Sequence, residues 1–107
     1  MTTIQFFNHE GRITGFSSQG HSGFAEEGAD IVCAAVSSAI RLAECTINDV
    51  MGTGAKTRVD EKETRVTLTL PAVCDEEEAV QLVLTGLMLH LSELRDEYPD
   101  YIEVMEV

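Results

Sequence analysis

The feature that most constrains this chain is the place where its hydrophobic period changes. Two long stretches carry apolar residues at the three-and-four spacing of a helix. Each follows a pair of short stretches that read as strands, and one more short stretch comes last. The clearest strand is Thr64–Leu70, where Val66, Leu68 and Leu70 alternate with Arg65, Thr67 and Thr69. Successive strand side chains point to opposite faces, so one face is buried and the other wet. Pro71 closes it. Two hairpins, each followed by a long helix, predict an α+β fold of order β-β-α-β-β-α-β. The sheet would be mainly antiparallel or mixed, packed with two long helices. The 107 residues fit one domain, 1–107, with no internal repeat or linker.

In chain order, Thr3–Phe7 reads as a strand with Ile4 and Phe6 on one face and Phe7 on the other. Asn8-His9-Glu10-Gly11 is turn chemistry, with Gly11 free to take positive φ and His9 solvated at the tip. Arg12–Gln19 is the return strand, its apolar residues Ile13 and Phe16; Gly15 weakens it or marks the close approach of another backbone. The first helix is predicted over Ile31–Met51, with Val32, Val36, Ala39, Ile40, Ala43, Ile47, Val50 and Met51 facing the core and Cys45 a small packing residue. Gly52 follows as its C′ residue. Ala55–Asp60 is a short strand, and Glu61-Lys62-Glu63 turns the chain. The second helix begins after Asp75, which forms a capping pattern with Glu78, while Glu76, Glu77 and Glu78 favour the positive end of its dipole. Val80, Val83, Leu84, Leu87, Leu91 and Leu94 make its core stripe. Leu82, Met88 and Leu89 widen that stripe, which points to a second buried surface and a homodimer. His90 is expected to be buried and hydrogen-bonded. Tyr98-Pro99 ends the helix, and Tyr101–Val107 is the last strand, with Ile102 and Val104 inward.

Charge and cysteine usage narrow the partners. Nineteen acids against 7 bases give a net charge of −12, so phosphate is repelled and direct nucleic-acid binding is disfavoured. A basic partner would be attracted. The apolar runs read as too short to cross a bilayer, and the start lacks a signal-peptide pattern, so no membrane partner and a cytoplasmic location are expected. Three cysteines, Cys33, Cys45 and Cys74, without Cys-x-x-Cys spacing, predict reduced thiols. No metal and no cofactor is expected.

The chemistry concentrates in Gly20–Ser38, GHSGFAEEGADIVCAAVSS. Asp30 reads as the N-cap of the first helix, which makes Cys33 its third helical position. Unpaired N–H groups and the helix dipole there would favour a thiolate, against the opposing acids Glu26, Glu27 and Asp30. His21 lies in the loop just before. Cys33 would attack a carbonyl, His21 would take and return the proton, and N–H groups at the helix start would hold the oxyanion. Asp30 could instead orient His21. Ser37 shares a helical stripe with Cys33 and Arg41 and could touch the site. Gly20, Gly23 and Gly28 punctuate the loop from Gly20 to Ala29, as hinges or as tight turns. Phe24 either folds into the core or lines a cleft.

Gly20-His21, followed by Gly28-Ala29-Asp30-Ile31-Val32-Cys33-Ala34-Ala35-Val36-Ser37, resembles the signature of the ribosomal-processing cysteine proteases of bacteria. That resemblance implies a homodimeric endopeptidase whose substrate is a peptide segment, the N-terminal extension of a large-subunit ribosomal protein, cut near aromatic residues. Two other readings stay open from the residues alone. Cys33 could be an inert helix-start residue in a non-catalytic, ribosome-associated binding module. It could also belong to a thiol redox protein, resolved by Cys45 or Cys74. Cys45 is 12 residues along the helix, about 18 Å, which disfavours it as a resolver.

Overall fold

The computed structural model describes residues 1–20 and 27–107, and for residues 27–30 the backbone alone. The elements are β1 (Thr2–His9), β2 (Arg12–Gln19), α1 (Glu27–Glu44), a π-helical continuation (Cys45–Val50), β3 (Lys56–Asp60), β4 (Arg65–Thr69), α2 (Glu77–Glu97) and β5 (Ile102–Glu106). The β-β-α-β-β-α-β order is as expected. One sheet contains all five strands in the order β3-β4-β2-β1-β5. It is mixed: three pairings are antiparallel, and β1–β5 is parallel.

Local chemistry explains how the strands meet. The β1–β2 hairpin closes with His9 opposite Arg12. Its two loop residues, Glu10 and Gly11, both have positive φ, at 50° and 82°. That is the tight turn whose twist matches the strands it joins. Gly15 sits where a side chain has no room, since a Cβ there would lie 2.2 Å from the Leu68 carbonyl oxygen.

The alternation of β1 and β2 turns Ile4, Phe6 and Phe16 inward, where they join Leu68 and Ile102. Phe6 and Phe16 pack ring on ring, with centroids 5.8 Å apart. Val32, Val36, Ala43 and Ile47 meet this face from the first helix, and Val80, Leu84, Leu87 and Leu91 from α2. Lys56, Arg58, Thr67, Thr69 and Gln19 occupy the alternate positions, on the sheet's other face.

Several expectations are corrected. The first helix starts at Glu27, four residues before the predicted Ile31, and its last turn is π-helical. Thr46 there donates its hydroxyl to the Leu42 carbonyl at 2.8 Å, a competing bond of the kind that bends helices. Val50 is exposed rather than packed, and so is Cys45. Asp75 does not cap α2: the N-cap is Glu76, without a side-chain bond, because the helix begins one residue later than the pattern requires. His90 is exposed, on the side of α2 away from the sheet. Ile31–Val50 is, by length and composition, apolar enough to cross a bilayer, contrary to the reading of the sequence. Its buried residues Val32, Val36, Ala43 and Ile47 belong to the sheet core, and a core helix meets the same criterion.

Candidate active site

Cys33 lies on α1, seven residues in when counted from Glu27, and is partly buried. This alters its electrostatic setting. The unpaired N–H groups of a helix are those of its first four residues. At the seventh position the backbone N–H of Cys33 is committed to the helical ladder. Helical side chains lean toward the N-terminus, so the thiol overlies the preceding turn rather than capping it.

The partner that holds Cys33 comes from another element. Its Sγ is 3.4 Å from Oγ1 of Thr2, the first residue of β1. Thr2 is 5 % exposed, in phase with Ile4 and Phe6 on the inward face. Its N–H bonds to the Tyr101 carbonyl at 2.9 Å, and it pairs with Ile102 of β5. Gly20 closes the third side: a Cβ there would stand 3.1 Å from the Thr2 hydroxyl. Gly20 is held in turn by Thr64, whose carbonyl accepts its N–H at 3.2 Å and whose hydroxyl donates to its carbonyl.

Among the residues singled out from sequence, Cys33 and Gly20 therefore converge on Thr2. Gly20 is anchored at the end of the sheet rather than free to swing. His21 and Gly23 lie outside the described residues, as does Phe24. Gly28 and Asp30 fall inside α1, so Gly28 is not a loop hinge and Asp30 is not the N-cap. Ser37 is one turn beyond Cys33 and is exposed. Thr2 was missed by sequence reasoning. Its signal was the alternation itself, since a hydroxyl in phase with buried residues needs a partner.

The other cysteines sit in different environments. Cys74 is buried beside Arg12, Pro71 and Glu77. Burial pushes its thiol up, Glu77 adds to that, and Arg12 opposes it. Arg12 and Gln19 are the two ends of β2, roughly 20 Å apart in an extended strand, and Thr3, next to Thr2, pairs with Gln19. Cys74 and Cys33 are therefore at opposite ends of the sheet, far beyond disulfide reach. Cys45 is exposed, its thiol pushed up chiefly by a hydrogen bond with Asp49. Neither is placed to resolve an oxidised Cys33.

A second feature lies on the outer side of the helices. Ala39, Leu42 and Ala43 of α1, with Val83, Gly86 and Leu87 of α2, line an open apolar groove of about 640 Å³, and Leu42 is 70 % exposed in it.

The chain is similar to known proteins over nearly its full length. Residues 1–103 match the family described as cysteine protease Prp. The ribosomal processing cysteine protease Prp of Bacillus subtilis (strain 168) is 27 % identical over 99 residues, 91 % of this chain and 88 % of that protein. The crystal structure of SMU.848 from Streptococcus mutans superposes with a TM-score of 0.89 at 24 % identity, covering all of this chain and 94 % of that one. The essential ribosomal processing protease Prp from S. aureus, in complex with a substrate peptide, superposes with a TM-score of 0.88 at 22 % identity, each chain covered in full. The same S. aureus protease has also been solved with a covalently linked product peptide, with a TM-score of 0.83 at 24 % identity.

Proposed function

Because the chain belongs to the cysteine protease Prp family, we propose that it is the endopeptidase that removes the N-terminal extension of a large-subunit ribosomal protein in the cytoplasm, with Cys33 as nucleophile. The observation that carries this is the seating of Cys33, partly open on α1 and held at 3.4 Å by a buried hydroxyl. The other two thiols lie far away, which removes support from a redox reading. The relatives' names add the substrate class: ribosomal processing in the Bacillus subtilis protein, and peptides bound to the S. aureus protease, one of them covalently linked.

In this reading the Cys33 thiolate attacks the scissile carbonyl and forms a tetrahedral intermediate. His21 accepts the thiol proton and delivers it to the leaving amine. Water then hydrolyses the thioester and regenerates the thiol. The Cys33 N–H is engaged in the helix, so the oxyanion donors are the free N–H groups of the first turn, Glu27 to Asp30, toward which the side chain leans. Ser37, one turn farther on, is exposed and open to contact with the peptide. The net charge of −12 suits a basic ribosomal substrate.

The protein acts as a homodimer in this proposal. The support is the groove between α1 and α2, together with Leu82 and Leu89 at 74 % and 58 % exposure. Such an apolar surface matches the seam of a two-fold helix pairing.

The test is mass spectrometry on a peptide spanning the extension junction of the host's ribosomal precursor. A single cut by the wild type and by Cys45→Ala, abolished in Cys33→Ala and His21→Ala, is expected. Folded wild type that leaves both the peptide and the full-length precursor intact would refute the proposal.

A further inference from the structure

We infer that Thr2 is a positioning residue for the nucleophile: its hydroxyl donates a hydrogen bond to the Cys33 sulfur and fixes the direction from which that sulfur attacks. The inference rests on Cys33 being the nucleophile, and it adds a residue that the sequence pattern around Cys33 does not contain.

At 3.4 Å either atom could donate while Cys33 is a neutral thiol. The attacking species is the thiolate, which has no proton. In that state only the Thr2 O–H can donate, and a bond to an ionised acceptor is about twice as strong as a neutral one. The contact therefore tightens in the state that reacts.

The hydroxyl is also held before Cys33 ionises. Its backbone is clamped in the sheet, through the bond to Tyr101 and the pairing with Ile102. Threonine is β-branched, which restricts its first side-chain torsion. Gly20 leaves the space the hydroxyl occupies, since a Cβ there would meet Oγ1 at 3.1 Å. Gly20 immediately precedes His21 in the chain. One buried threonine thus joins Gly20, the residue directly after β2, to the helix carrying Cys33, and the rigid sheet sets the position of the sulfur.

The test compares wild type, Thr2→Val and Thr2→Ser in the full chain. Valine keeps the shape and removes the hydroxyl; serine keeps the hydroxyl. Two readouts are taken: steady-state cleavage of the junction peptide, and the rate of iodoacetamide labelling of Cys33 at neutral pH without substrate, followed by peptide mass. Thr2→Val is expected to lower kcat about 10- to 100-fold with KM within about twofold, and to slow labelling about tenfold, while Thr2→Ser stays within about threefold of wild type in both. Unchanged kcat and labelling in Thr2→Val would overturn the inference, as would equal losses in both variants in proportion to their melting temperatures. Should Thr2→Val not fold, Gly20→Ala serves in its place: its Cβ crowds the hydroxyl, and slower labelling in the folded variant is expected, unchanged labelling being the refuting result. If wild type does not cleave at all, the protease reading falls, while the labelling comparison still decides whether Thr2 controls Cys33.

Discussion

Arg12 grips Glu77 with two nitrogens across 65 positions of sequence: Nε donates to Oε1 at 2.5 Å and Nη2 to Oε2 at 3.3 Å. The same Nη2 also donates to the Pro71 carbonyl at 2.9 Å and to the Cys74 sulfur at 3.6 Å. The first residue of β2 is thereby tied to the first residue of α2 and to the turn between β4 and α2. Gln81, one turn along α2, extends the clasp by accepting the Ile13 N–H and donating to the Ile13 carbonyl. Glu77 was read from sequence as a first-turn charge answering the dipole. It does that and also answers Arg12.

Arg12→Ala should cost about 1–2 kcal/mol, as expected for a two-pronged pair only partly shielded from water. The cost depends on pH with a definite sign. The Arg12 guanidinium holds the Glu77 carboxyl below its usual value. Stability from this source is therefore fully present above the unfolded glutamate value of about 4.3 and is lost as pH falls through the lower folded value. Denaturant melts of wild type and Glu77→Gln should be fully separated above about pH 4.3 and draw together as the pH falls below it. A gap that widens on acidification would contradict the pairing.

The three thiols should label in a set order. Cys33 should react first with iodoacetamide in the native protein. Cys45 is exposed but slowed by its hydrogen bond with Asp49, so Asp49→Asn should speed its labelling several-fold. Cys74, buried and pushed up, should label only in denaturant. Peptide mass after timed labelling reads all three, and fast native labelling of Cys74 would contradict its burial.

Gly15→Ala should be severe for its size. The added Cβ would lie 2.2 Å from the Leu68 carbonyl oxygen, a backbone atom held by the sheet, so β2 and β4 must separate. A loss of about 2–4 kcal/mol is expected, against about 1 kcal/mol for Gly11→Ala, where the space is open and only the positive φ of 82° is strained. Thermal melts of the two variants side by side decide the order.

Leu42→Asp places a charge in the groove between α1 and α2 without touching Cys33 or Thr2. Sedimentation velocity should show a dimer for wild type and a monomer for the variant, each with an unchanged fold by circular dichroism. A dimeric variant would move the self-association to another surface.

The order of elements was legible because it depends on local periods. Alternation at Val66, Leu68 and Leu70 and helical spacing from Val80 to Leu91 need only neighbours along the chain. Gly15 was also readable, as a strand glycine demands a reason. The start of α1 was not. Asp30 is a good cap residue followed by apolar positions, yet the helix extends back to Glu27, because a cap is a weak preference that tertiary context overrides. His90 misled for a related reason: an apolar helix reads as buried all round, while packing on one sheet leaves its outer side open.

The sequence by itself determined the α+β order, the thiol at Cys33 and the family signature around it, since each is written in spacing along the chain. Only the tertiary structure decided what surrounds that thiol. Thr2 stands 31 positions from Cys33 and 18 from Gly20, and the three meet because β1 runs beside β2 while α1 crosses its inward face. Long-range contacts of this kind follow from strand order and helix packing, which no local period encodes.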